Sequence, residues 1–279
     1  MSFVCPTTLL LGNITSSRSF SLPSLIRAAD HVYQCSKYSP LPWYSGSLLW
    51  DGVDLPAAAD AFCVSQSITT TPFSGDHMVK DIIRNTNNNS PATFQNSMSI
   101  NKVGNSSITY SHTIAYNDEA VANLSRTFVR VNAAGALPFT AQEKQVLDNL
   151  CDPSPSPCLS SPTKRYLEPN NVFSLKIASE HVNFGGHVDH AALSSIALAG
   201  IETLTPGTQP TVFNINYAAQ ARLGDIVEIS VDHCPEADGG MYWDARVGKS
   251  IICFGLTNDF TVLDHDHSAF HKPLFSSKL

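Results

Sequence analysis

Asn183-Phe184-Gly185-Gly186-His187-Val188-Asp189-His190 runs directly into the small, apolar segment Ala191 to Ile201. A glycine pair followed by His, Val and Asp reads as a turn feeding a helix N-terminus. The backbone N–H groups there have no partner inside the helix and point outward, toward any negative charge that develops beside them. Such a site needs no cofactor, and His187 is the side chain on it suited to moving a proton or ordering water. Asp189 admits two readings, a cap favoured by the helix dipole or a catalytic carboxylate. Asp30 and His31 lie on an amphipathic helix of the first half. From the sequence alone they read as its polar edge. Glu180 and His181, just before the turn, read as a surface pair at a strand end.

Other chemistries are poorly supported. His265, Asp266, His267 and His271 have the residue types of a metal site, but Asp264 to His267 alternates like a strand end or a solvated tail, and no metal is expected. No Gly-x-Ser-x-Gly elbow, phosphate loop or dinucleotide fingerprint occurs, and Gly185-Gly186 and Gly239-Gly240 are isolated pairs. A formal charge of −7 over 279 residues, without basic runs, argues against a nucleic-acid partner. No stretch approaches the roughly eighteen apolar residues of a membrane span. The seven cysteines are odd in number and free of Cys-x-x-Cys spacing, which favours buried thiols over disulfides or zinc. Asn-x-Ser/Thr matches beginning at Asn13, Asn88, Asn105 and Asn123 carry little weight without a secretory signal.

The elements that must position the turn come in two similar sets. Residues 151–165 hold four prolines and a run of serines and read as an exposed linker between a first unit, 1–150, and a second, 166–279. In the first unit a strand over Phe3 to Gly12 precedes a helix opening at Ser21, with Leu22, Leu25, Ile26, Ala29 and Val32 on one stripe. Ile108, Tyr110, Ile114 and Tyr116 alternate with Ser and Thr, Thr127 to Val131 is β-rich, and Thr140 with Glu143 has capping-box spacing. The second unit repeats this order. A strand at Val172 to Ile177, a helix at Asp189 to Leu204 and strands at Val212 to Tyr217, Asp225 to Val231 and Ser250 to Leu256 are expected. That helix is small-sided enough to lie close against a curved sheet. The expected class is α+β, one helix wrapped by a long antiparallel sheet, present twice.

These residues resemble the hotdog-fold acyl thioesterases, in particular the double-hotdog chains typified by plant acyl-carrier-protein thioesterases. Arg18 to His31 is similar to the family's opening Arg-Thr and amphipathic helix, and Ser107 to Leu137 to its long hairpin. Gly186-His187-Val188-Asp189-His190 resembles its His-Val-Asn-Asn helix start, and Asn216-Tyr217 through Gly224-Asp225 its next strand. The resemblance implies two tandem hotdog units and hydrolysis of a fatty or polyketide-like acyl thioester, carried by CoA or an acyl-carrier protein, to free acid and thiol, without cofactor. It puts His187 at the family's His. Asn183 stands where many members have an acid, Gly185 where the plant enzymes have an Asn, and Gln220 near a family Glu. Catalytic roles are accordingly expected for His187, Asn183, Asp30 and Gln220, and substrate contacts for Gly185, Gly186, Val188, Asp189 and His31. A hydratase or dehydratase on the same double fold, with a His and an acid facing each other across the halves, is the second expectation. A non-catalytic acyl-CoA binder is the third. Ser277-Lys278-Leu279 matches the tripeptide read by the peroxisomal import receptor, making peroxisomal import the expected address, with cytoplasm or mitochondrion as alternatives.

Overall fold

The computed structural model describes residues 2–8, 21–38, 49–50, 53–54, 61–71, 80–82, 84, 93–132, 135–152, 167, 171–182, 186–206, 208–234 and 240–262. The linker beyond Asp152 up to residue 166, the His/Asp-rich segment after Val262, the C-terminal tripeptide, Asn183 and Gly185 lie outside them.

The first unit contributes β1 (Ser2–Thr8), α1 (Leu22–Tyr38), the two-residue ladder of β2 (Leu49–Trp50) with β3 (Val53–Asp54), and β4 (Ala61–Thr70). Then follow β5 (Thr93–Val103), β6 (Ser107–Tyr116), β7 (Glu119–Asn132), β8 (Gly135–Ala136) and α2 (Ala141–Leu150). The second unit has β9 (Val172–Lys176), a 3-10 turn at Ser179–His181, α3 (His190–Leu204), β10 (Thr208–Tyr217), β11 (Ile226–His233), β12 (Met241–Val247) and β13 (Ser250–Val262).

Eleven strands form one sheet in the order β1-β5-β6-β7-β4-β10-β13-β12-β11-β9, with β8 paired to β7. Replace β1 by β9, β4 by β10 and β5 to β7 by β11 to β13, and the first half of that order becomes the second half read backwards. Each unit is therefore the same motif, strand, helix, strand, then a three-stranded meander, and the two join edge to edge. The join is the antiparallel pairing of β4 with β10, from Ser65 opposite Asn216 to Thr69 opposite Val212. It leaves neither inner edge open to solvent or to other chains.

Local sequence explains the elements. Asn117 and Asp118 both take positive φ, the two-residue turn that matches strand twist, so β6 and β7 close into a tight hairpin. The Thr140 hydroxyl accepts the Glu143 N–H at 3.2 Å and the Glu143 carboxylate accepts the Thr140 N–H at 2.6 Å, the reciprocal cap expected for α2. Leu22, Leu25, Ile26, Ala29 and Val32 bury the inner stripe of α1. Ala191, Leu193, Ile196, Ala197 and Ile201 do the same for α3. Each large side chain so buried contributes about 1.5–3 kcal/mol. Gly200 sets how close α3 lies to the sheet, because a Cβ there would come within 2.8 Å of the Ile229 side chain on β11. The small-sided helix is thus seated where its sequence predicts, with Phe213 and Trp243 stacked at 5.2 Å in the sheet beneath.

Candidate functional site

α1 packs against α3 where the units meet. The turn before α3 is pinned by a bridge between Val182 and Val188, and Gly186 adopts φ +79°, a conformation that strains any residue with a side chain. His187 follows and is exposed; Val188 is half-buried against the core. Asp189 is the N-cap, its Oδ1 accepting the Ala192 N–H at 2.7 Å, so the capping reading of this residue is realised. Its own N–H donates to the His181 carbonyl at 3.3 Å. Of the N–H groups that a helix start leaves over, those of His190 and Ala191 are not taken by the cap.

His190 opens α3, and its ring lies 5.0 Å from that of Tyr217 at the end of β10. Burial lowers the His190 pKa, as does the nearby Arg126 charge, while Asp30 and Asp189 pull the other way. The imidazole is neutral at neutral pH. Burial holds the Tyr217 phenol well above its ordinary pKa, so it stays protonated. Gln66 on β4 donates to the Tyr217 hydroxyl at 2.6 Å and to the Ser194 hydroxyl of α3 at 3.3 Å. Those two hydroxyls are 3.4 Å apart, so the cluster ties the central strand pair to the first turns of α3.

The first unit adds a buried ion pair. Arg126 of β7 is fully buried and donates through Nη2 to Asp30 Oδ1 on α1. Burial works against the guanidinium charge, but the adjoining carboxylate outweighs it and keeps Arg126 ionised. Cys63 sits beside the pair, its thiol pushed up to about 11 by burial, which makes it inert as a nucleophile at neutral pH.

Of the residues singled out in sequence, Asp30 and the His187–Asp189 turn reach this seam, whereas His31 and Gln220 are exposed on the surface. His190, Tyr217, Ser194, Gln66 and Arg126 were not singled out. A signal for two of them was legible. Arg126 falls on the apolar phase of β7 between buried Leu124 and Phe128, and Tyr217 ends the alternating run Phe213-Ile215-Tyr217.

No protein-family description and no curated protein sequence matches the chain. Solved structures do. An acyl-ACP thioesterase from Bacteroides thetaiotaomicron is 12% identical with a TM-score of 0.68, covering 93% of this chain and 98% of its own. The 12:0-ACP thioesterase from Umbellularia californica is 9% identical with a TM-score of 0.67, covering 94% and 97%. The fold is that of double-hotdog thioesterases. A MaoC-like dehydratase from Phytophthora capsici, 12% identical over 94% and 95% of the two chains, reaches a TM-score of 0.51. At these identities the likeness is one of architecture.

Proposed function

We propose that the chain hydrolyses an acyl thioester, carried by CoA or by an acyl-carrier protein, at the seam between its two units. One observation carries this reading: a neutral imidazole, His190, sits beside two uncapped helix N–H groups and across from the ion pair of the other unit. The thioester carbonyl accepts from the His190 and Ala191 N–H groups, where the developing oxyanion is stabilised without reorganisation. His190 takes a proton from water as the water oxygen attacks the carbonyl carbon. The C–S bond then breaks, and the imidazolium returns that proton to the leaving sulfur, giving free acid and thiol. Tyr217, kept protonated, donates to the oxyanion or to the attacking water, and Gln66 and Ser194 fix its hydroxyl. His187, on the exposed lip of the turn, contacts the carrier side of the thioester.

Hydration of an enoyl thioester is the second reading, favoured by the way Asp30 of one unit acts electrostatically on His190 of the other. The bond from Arg126 weighs against it, because it already engages Asp30 Oδ1 within the first unit. Incubating the protein with a series of acyl-CoAs and a thiol reagent tests the proposal: thiol release is expected. Loss of enoyl absorbance without thiol release supports hydration instead, and binding with neither reaction leaves an acyl-CoA binder.

A further inference from the structure

One sheet face of the first unit carries buried polar atoms that the seam chemistry does not use. In register, Gln66 of β4 lies opposite Arg126 of β7, and His112 of β6 lies opposite Leu124 of β7 and Met98 of β5. Residues opposite one another share a sheet face, and so do residues two apart on a strand. Gln66, Arg126, His112 and Asn96 therefore form one diagonal row, from the central strand pair outward beneath α1. All four are at most 1% exposed. Yet Gln66 Oε1, Asn96 Oδ1, both ring nitrogens of His112 and Arg126 Nε and Nη1 have no hydrogen-bond partner among the described residues. A single orphaned buried group is uncommon, and four adjacent ones on one face mark a place where a polar molecule completes the bonding. The row begins at the Gln66 that also holds Tyr217 and Ser194, so it is continuous with the proposed reaction site.

Charge narrows what fits. Asp30 already balances Arg126, and burial followed by the Arg126 charge lowers the His112 pKa to about 3, so His112 is neutral. The row has no net charge, and the desolvation of a second carboxylate would go uncompensated. Its free groups are mixed. Arg126 offers donors, Gln66 and Asn96 offer acceptors, and His112 offers one of each. A neutral chain bearing hydroxyl and carbonyl oxygens satisfies both kinds; a saturated hydrocarbon chain satisfies neither.

We propose that this row is the acyl subsite and that it selects an oxygenated acyl chain, carrying neutral hydroxyl or oxo groups, over a saturated fatty chain. The inference rests on the thioester reading for the position of the carbonyl, but its test does not need turnover. Two non-cleavable thioether analogues of acyl-CoA of equal chain length, one saturated and one with hydroxyl and oxo groups on the chain, are titrated calorimetrically into the full-length protein. The oxygenated analogue is expected to bind at least roughly tenfold more tightly, since a site built to hydrogen-bond an oxygen rejects the analogue lacking it. His112→Phe and, independently, Asn96→Leu are expected to erase most of that preference. Equal or tighter binding of the saturated analogue to the wild type, binding of neither analogue, or a preference untouched in both variants overturns the proposal. A preference without thiol release from the cleavable counterparts removes hydrolysis and leaves the subsite standing. Thiol release without preference does the reverse.

Discussion

At the level of single residues, the account turns on His190 rather than on the more conspicuous His187. Both belong to the same turn, and His190 is set against Tyr217 and within the field of Arg126 and Asp30. His190→Ala is expected to lower thiol release by about 10²–10⁴, the usual contribution of a general base. The direction of its pKa shift fixes the pH dependence. With a pKa below the ordinary 6.5, the imidazole is already neutral before pH 7. Activity should therefore rise with pH in the acid range and level off by neutrality. A rate that still climbs above pH 7 would assign the base elsewhere. Tyr217→Phe keeps the ring that packs on His190 and removes only the hydroxyl, so roughly a tenfold loss in kcat with an intact fold is expected.

Secondary-structure elements were legible in sequence where alternation or capping was clean. α1, α2, α3, β1, β6, β9, β10, β11 and β13 stand close to their expected positions, and the capping box of α2 is present as its spacing implies. β4, β5 and β12 were not delimited, for a physical reason. Their buried faces carry polar groups, Gln66 and Ser67 on β4, Asn96 on β5, Asp244 and Arg246 on β12, which erase the apolar period by which a strand is recognised. On β12 these two residues pair with each other and bond the Leu167 backbone, a partner that sequence spacing does not reveal. The same masking hid the site. His112 interrupts the alternation of Tyr110, Ile114 and Tyr116, and that interruption was the one local sign of a polar row. At this scale Gly200 is the most sensitive position. Gly200→Ala forces a methyl onto Ile229 and is expected to cost about 1–3 kcal/mol, read as a lower denaturant midpoint with unchanged slope. Thr140→Ala, which removes the α2 cap, should cost about 1 kcal/mol.

For the whole molecule, the mirrored strand order makes the join of β4 and β10 the structural centre, and the seam residues come from both units. Buried polar groups there also tie stability to pH. The folded pKa of His112, about 3, lies below its ordinary 6.5, so the folded state resists a proton that the unfolded chain accepts. Its contribution to stability is complete above pH 6.5 and drains away as pH falls toward 3, by at most about 1.4 kcal/mol per pH unit. Chemical denaturation across that range should show stability falling with acid, and His112→Phe should flatten the slope. An equal slope in the variant would mean that other groups carry the linkage.

The position of the thioester carbonyl is the claim on which the mechanism stands. A crystal structure of the protein with a non-cleavable 2-oxoalkyl thioether analogue of an acyl-CoA, whose ketone stands in for the thioester carbonyl, tests it most directly. The account predicts the carbonyl oxygen about 2.7–3.1 Å from the His190 or Ala191 N–H, with the acyl chain running under α1. A carbonyl bound away from the α3 N-terminus, with His190 out of reach of any attacking water, would contradict it.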